Sequence, residues 1–134
     1  MRQQFTSAYA LDTIIGQYTY GTPEGSVGPD SYSLDYYYVN LPGRAEMQND
    51  LILDYRSNVA LYAEFQKYLR DYQPPLMAVW GENDPSFIPA GARAFKRDLP
   101  NAEICFVASG HFALESHHTE IAMMMKDFLN RALR

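Results

Sequence analysis

The chain has 134 residues, of which 47% are hydrophobic and 20% are charged, and its net charge is −5 at neutral pH. These values are typical of a globular chain and exclude a disordered one. The acidic balance, without a run of Lys or Arg, argues against a nucleic-acid or anionic-membrane surface. The composition therefore favours a small-molecule partner, and the length fits one domain or a piece of a larger one.

The single cysteine and the start of the chain bear on where the protein works. Cys105 lies in a predicted strand and has no second cysteine with which to form an internal disulfide, which is typical of a cytoplasmic protein. Residues 1–10 lack the apolar core of a secretion signal, and no apolar run reaches transmembrane length. The sequence predicts a soluble, cytoplasmic protein.

The first 73 residues are predicted to be mostly helical after an irregular start. Residues 11–30 pass from a mildly apolar segment into one dense with Gly and Pro, which predicts a loop rather than a packed element. Apolar side chains then recur at helical spacing. Three helices are predicted, over about residues 29–40, 44–56 and 58–72.

A strand, a helix and a second strand are predicted next. The apolar runs Leu76–Trp80 and Ile104–Ala108 suit strands buried on both faces, and residues 89–98 between them read as a helix that starts on proline. Such a unit is normally right-handed and parallel, so the loops that follow both strands leave the same edge of the sheet. The predicted fold class is α/β.

A last helix is predicted from Ser116, as its cap, to about Arg131. Its apolar side chains form a stripe at helical spacing, which we expect to lie on the sheet. This stripe comprises Ile121, Met124, Met125, Phe128 and Leu129.

Polar side chains follow both predicted strands. Asp84 lies in the loop after the first strand, and His111 lies in the turn after the second. Because both loops leave one edge of the sheet, we expect the carboxylate and the imidazole to be close enough for a hydrogen bond. A carboxylate that orients an imidazole is the acid and base part of a catalytic triad.

Each of these residues also has a structural interpretation. Asp84 precedes a proline and can simply shape a turn, and a lone histidine after a strand is usually a surface or capping residue. Glu82 remains the substitute acid, and His117 would be the next base to consider. His117 and His118 have no Cys or carboxylate at ligand spacing, so the sequence predicts no metal site and no cofactor.

Three segments, WGENDPSF, GARAFKRDLPNAE and SGHFALESHHTEIAMMMKDFLNR, resemble the carboxyl-terminal part of α/β hydrolases. The resemblance is to the branch that contains epoxide hydrolases and haloalkane or haloacid dehalogenases. It implies Asp84 as the triad acid and His111 as the base. The implied activity is hydrolysis of an epoxide, a haloalkane or haloacid, or an ester.

The upstream stretch SVGPDSYSLDYYYVNLPGRAEMQNDLILDYRSNVALYAEFQKYL resembles the helical cap of the same branch. The resemblance implies a division into cap-like residues 1–73 and the last core strands and helices, residues 74–134. Most tyrosines of the cap-like part are expected to supply amphipathic bulk. Cap tyrosines donate to the substrate oxygen in the epoxide hydrolases that this part resembles, which implies Tyr32 and Tyr36 as candidate substrate-binding residues.

The chain departs from the family in one respect, because nothing in it resembles a G-x-S-x-G or G-x-D-x-G nucleophile elbow or the early oxyanion loop. We expect both to precede residue 1, so that the chain is part of a hydrolase and has little activity alone. The alternative is a non-catalytic module that binds a partner or a copy of itself. Two parallel strands leave faces and edges open, which suits either self-association or pairing with the missing amino-terminal part.

Overall fold

The structure is a computed structural model that describes residues 9–134. The prediction about a secretion signal falls largely on residues 1–8, which lie outside the described residues. In the described part, no helix is long and apolar enough to cross a membrane. The elements in chain order are α1 (Leu11–Thr19), α2 (Pro29–Val39), α3 (Arg44–Asp54), α4 (Arg56–Tyr72), β1 (Met77–Gly81), α5 (Pro89–Ala94), β2 (Glu103–Val107) and α6 (Ala113–Ala132).

The predicted strand–helix–strand unit is present, and the α/β class is confirmed. Strands β1 and β2 pair in parallel, with Met77 opposite Glu103 and Gly81 opposite Val107. Helix α5 is shorter than predicted, because its last part, Phe95–Arg97, winds into a 3₁₀ turn. Both strands therefore end at the same level, and the loops that follow them begin side by side.

The loop predicted over residues 11–30 is wrong at its start, where α1 forms. Ile14 and Tyr18 of this helix are buried, each 5% exposed. Gly16 within it lies so close to Tyr20 that an added Cβ would be 2.7 Å from the Tyr20 ring. A nine-residue helix with a central glycine has weak local propensity, so tertiary packing rather than sequence pattern forms it.

The start predicted for the last helix is also wrong. Helix α6 begins at Ala113, and no side chain caps it. The Ser116 hydroxyl lies 2.9 Å from the Ser109 hydroxyl and 2.8 Å from Nδ1 of His117. Because Ser109 is completely buried, its hydroxyl needs a partner, and Ser116 supplies one from inside the helix. His117 has non-helical angles (φ −125°, ψ 24°), so the helix is kinked there.

The apolar core is small and comes from α1, α5, β2, α6 and the segment between α5 and β2. Its residues are Ile14, Tyr18, Ala92, Leu99, Ala102, Val107 and Ile121. The stripe predicted for α6 is only partly covered, because Ile121 is buried but Met125 and Leu129 are about half exposed. The predicted division at residue 73 falls between α4 and β1, and it stays a prediction.

Candidate active site

Asp84 is nearly buried, 6% exposed, in the loop that follows β1. Its Oδ1 accepts hydrogen bonds from the amide groups of Ser86 (2.8 Å) and Phe87 (2.9 Å). Its Oδ2 lies 2.9 Å from Nδ1 of His111. The backbone of Ser86 and Phe87 therefore turns back over the carboxylate, as is common after an Asp in a turn. Oδ2 is left to contact His111.

The pKa of the Asp84 carboxyl lies below its usual value. Burial desolvates the carboxylate and by itself raises the pKa, but hydrogen bonds from His111 and from the amides of Phe87 and Ser86 together outweigh it. Asp84 is therefore ionised near neutral pH and can only accept hydrogen bonds. It follows that Nδ1 of His111 carries the proton, which leaves Nε2 unprotonated in the neutral ring.

The two loops that carry the pair are held against each other by their backbones. The amide of Asn83 donates to the carbonyl of Ser109 at 3.0 Å. At Gly81 an added Cβ would lie 2.0 Å from the carbonyl oxygen of Gly110. The backbones of the two loops are therefore in contact at a point where any side chain would separate them. This close approach brings Asp84 and His111 together although each is on its own loop.

Two phenylalanine rings surround the imidazole of His111. The Phe87 ring stacks on it, with centroids 5.0 Å apart and planes at 28°, and the Phe112 ring meets it edge-on at 4.9 Å and 83°. The His111 side chain is 25% exposed. A cavity of ≈ 530 Å³ and a smaller one of ≈ 230 Å³ both reach it. The base is therefore held on two sides and remains accessible.

The segment after α1 packs against the two loops that carry the pair, a contact that the sequence did not predict. The amide of Gly110 donates to the Thr22 hydroxyl at 3.0 Å, and Nδ2 of Asn83 donates to the carbonyl of Gly21 at 3.0 Å. An added Cβ at Gly110 would lie 1.9 Å from the Tyr20 carbonyl oxygen. Gly110, which precedes His111, is the one signal in the sequence for this contact. A glycine there indicates a close backbone approach but does not show which segment approaches.

Tyr18 connects the helical part to the histidine loop. Its ring lies parallel to the Phe112 ring, with centroids 4.1 Å apart, and its hydroxyl donates to Oδ2 of Asp35 at 2.6 Å. Burial, followed by the bond to Asp35, raises the pKa of the Tyr18 phenol well above its usual value. The phenol therefore stays protonated and serves as a donor that fixes α1 to α2.

The two tyrosines that were predicted to bind substrate, Tyr32 and Tyr36, lie in different surroundings. Tyr32 is half-buried and meets the Tyr18 ring edge-on at 6.2 Å, so it belongs to the aromatic cluster behind Phe112. Tyr36 is 38% exposed, and its carbonyl accepts a hydrogen bond from Nδ2 of Asn40. Tyr36 does not line either cavity that reaches His111. The substrate-binding role of both tyrosines stays a prediction.

The alternative acid and base lie apart from the pair. Glu82 is exposed, and its amide continues the sheet by donating to the Val107 carbonyl. His117 is engaged by Ser116, as described above, and His118 is exposed. Cys105 is half-buried in the middle of β2. Within residues 9–134, no group of three or more His, Cys, Asp or Glu side chains is placed to hold a metal ion.

Two comparisons with known proteins find relatives of this chain. The family model for the alpha/beta hydrolase fold matches residues 31–118, a range that includes Asp84 and His111. An uncharacterized hydrolase of Saccharomyces cerevisiae is 42% identical over 110 residues, which are 81% of this chain and 38% of the yeast protein. The chain thus spans little more than a third of that relative's length. No solved structure matches the chain with significance.

Proposed function

The chain belongs to the α/β-hydrolase fold family, and on this premise we propose that it supplies the acid and the base of a hydrolase active site. One observation carries the proposal: Nδ1 of His111 lies 2.9 Å from Oδ2 of a buried Asp84, at the ends of two adjacent parallel strands. The ends of parallel strands are where open α/β sheets bind their ligands.

The chemistry follows from the direction of this hydrogen bond. Asp84 accepts a hydrogen bond from Nδ1–H of His111 and holds the imidazole in the tautomer whose Nε2 has a free lone pair. Nε2 of His111 then takes a proton from a hydroxyl group or a water molecule, whose oxygen attacks the substrate. The negative charge of Asp84 stabilises the imidazolium that results, until the proton passes to the leaving group or to solvent.

We propose an epoxide, a haloalkane or haloacid, or an ester as the substrate class. The support is the resemblance of the cap-like and core segments to the epoxide hydrolase and dehalogenase branch, together with the cavity of ≈ 530 Å³ beside His111. Apolar side chains line most of this cavity, which extends from His111 along the sheet to Met77 at the start of β1. Its end at His111 suits a small, largely apolar molecule. The lining includes Met77, Val79, Phe112, Ile121, Phe128 and Leu129.

The nucleophile is proposed to come from another segment, because the 134 residues contain no elbow motif. With an aspartate nucleophile, its carboxylate oxygen displaces halide, or opens an epoxide whose ring oxygen takes a proton from a cap tyrosine or from solvent, and it forms an ester with the substrate carbon. A water molecule deprotonated by His111 then hydrolyses this ester. With a serine nucleophile, His111 deprotonates the hydroxyl itself, so both the formation and the hydrolysis of the intermediate depend on it.

Mass spectrometry of the natural full-length protein distinguishes these routes. If the nucleophile is an aspartate, we expect His111→Gln to accumulate a covalent adduct with an epoxide or haloacid, because the first step then needs no base and the second does. Glu82→Gln is the matched control, since Glu82 is an exposed carboxylate in the same loop as Asp84. A His111→Gln variant that acquires no adduct from such substrates would exclude the aspartate route. A variant that still completes the reaction would exclude the assignment of His111.

An interaction module is the second candidate function, and the surface of α3 and α4 favours it. Most apolar side chains on these helices are open to solvent, and Leu51 is 60% exposed. Exposed apolar patches of this kind mark interaction surfaces. The exposed side chains include Ile52, Val59, Tyr62, Phe65 and Tyr68, together with Tyr55 between the two helices. In this alternative the helices bind a partner protein or a second copy of the chain.

A further inference from the structure

Phe87 contacts both members of the acid–base pair through different atoms. Its amide donates to Oδ1 of Asp84 at 2.9 Å, and its ring stacks on the imidazole of His111. Its carbonyl oxygen accepts a hydrogen bond from Nε1 of Trp80 at 2.6 Å. Phe87 therefore contacts the sheet, the acid and the base together.

Burial does not account for the position of the Phe87 ring. The residue is 59% exposed, although a phenylalanine gains most when its ring leaves water. The anchor is the Trp80 indole, because Trp80 lies within β1 and pairs with Phe106 of β2. A hydrogen bond from this fixed strand holds the Phe87 backbone, and the ring is thereby kept over His111.

The two aromatic contacts of His111 restrict the rotation of its ring. The Phe87 ring lies nearly parallel to the imidazole (28°) and the Phe112 ring nearly perpendicular (83°). A partial turn of the imidazole about its Cβ–Cγ bond would tilt the ring away from Phe87 and also remove Nδ1 from Asp84. A half-turn would keep the ring plane but would still lose the bond to Asp84. The stack therefore fixes the plane of the imidazole, and within that plane Asp84 selects the orientation that presents Nδ1.

We propose that Phe87, anchored by Trp80, is a positioning residue that holds His111 with Nδ1 toward Asp84 and Nε2 toward the cavity. Its value for catalysis rests on the proposed function, but the orientation itself does not. Phe87 acts on His111 and needs no contact with the reacting atoms. Removal of the ring should therefore change the tautomer of His111 without removing the acid or the base.

Nitrogen-resolved NMR of the histidine rings in the full chain tests this proposal without any substrate. In the unaltered chain we expect neutral His111 to be mainly the Nδ1–H tautomer. Phe87→Leu should lower the ratio of Nδ1–H to Nε2–H by roughly two- to tenfold, the factor that corresponds to one aromatic pair. Phe87→Tyr keeps the stacked ring and should retain the ratio of the unaltered chain.

Phe65→Leu is the matched control, because it makes the same change on α4, at an exposed ring that does not contact His111. An unchanged His111 ratio in Phe87→Leu would overturn the proposal. If Phe87→Leu does not fold, Trp80→Phe decides, since it removes the indole donor while it keeps an aromatic ring in β1, and it should lower the ratio in the same direction. A correctly oriented His111 in a protein that hydrolyses nothing would count against the proposed function but not against this positioning.

Discussion

Asp84 is the side chain on which the candidate site depends most, because it is nearly buried and accepts three hydrogen bonds. Its lowered pKa means that the folded state stabilises the ionised carboxylate of Asp84 more than the unfolded state does. The stability that it contributes is therefore fully present above the pKa of an unfolded aspartate. That stability is lost as the pH falls through the lower pKa of the folded state.

Asp84→Asn should lower the free energy of unfolding by about 2 kcal/mol near neutral pH, since a charged acceptor is lost and an amide group faces backbone donors. The difference from the unaltered chain should shrink as the pH falls through the pKa of folded Asp84. Urea unfolding at neutral and acid pH measures both values. Glu82→Gln, at an exposed carboxylate, should change neither. A deficit of Asp84→Asn that is independent of pH would contradict the role given to the charge.

Asp84 and His111 could be predicted because each follows an apolar run that ends in a polar turn, and parallel strands bring such turns to one edge. Thr22 and Tyr18 could not be predicted in the same way. They reach the histidine loop from a segment far earlier in the chain. The hydrogen bond from Gly110 to Thr22, for example, joins residues 88 positions apart. Such a contact depends on how α1 packs, which leaves no periodic signal in the sequence.

At the scale of elements, the loop after α1 and the turn after β2 fit together through Gly110. A Cβ at this position would lie 1.9 Å from the Tyr20 carbonyl oxygen, and backbone atoms cannot yield as a flexible side chain does. The helix α1, whose formation the sequence did not predict, is therefore held at the site by backbone contact. The predicted start of α6 is wrong for a similar reason. Ser116 lies within the helix, where its hydroxyl pairs with the buried Ser109 hydroxyl instead of capping the helix.

Gly110→Ala should destabilise the protein by about 3 kcal/mol, because the methyl group forces the two segments apart. Gly91→Ala is the matched control, since Gly91 lies in α5 and an added Cβ would meet only a ring atom of Trp80 at 4.0 Å. That change should be neutral or stabilising by up to about 1 kcal/mol, because alanine favours the helix. Thermal unfolding of both variants provides the comparison. Equal stabilities would show that the loop after α1 does not press on the histidine turn.

At the scale of the whole molecule, the described residues bury a small apolar core and leave many large apolar side chains exposed. Within residues 9–134, β1 pairs with β2 and with no other strand, so one edge of each remains open. The exposed apolar side chains of α3 and α4 add to this unsatisfied surface. Open parallel edges and apolar faces are normally covered by further elements or by another chain.

We expect the 134-residue chain by itself to associate, so that analytical ultracentrifugation gives a mass above 15.3 kDa. Exchange of exposed apolar residues for polar ones on α4, such as Val59→Lys together with Phe65→Lys, should reduce this association. Both positions lie on the solvent side and outside the proposed site. A compact monomer whose mass stays near 15.3 kDa at every concentration would contradict the expectation.

The most direct test of the account is the steady-state hydrolysis rate of the natural full-length protein with changes at the pair. His111→Gln and Asp84→Asn should each lower kcat/KM by about 10³-fold or more, and the double variant should be little worse than the poorer single one, because the two side chains act as a unit. Glu82→Gln should retain the unaltered rate. If His111→Gln and Asp84→Asn both leave turnover unchanged, these residues are not the acid and the base of the hydrolase.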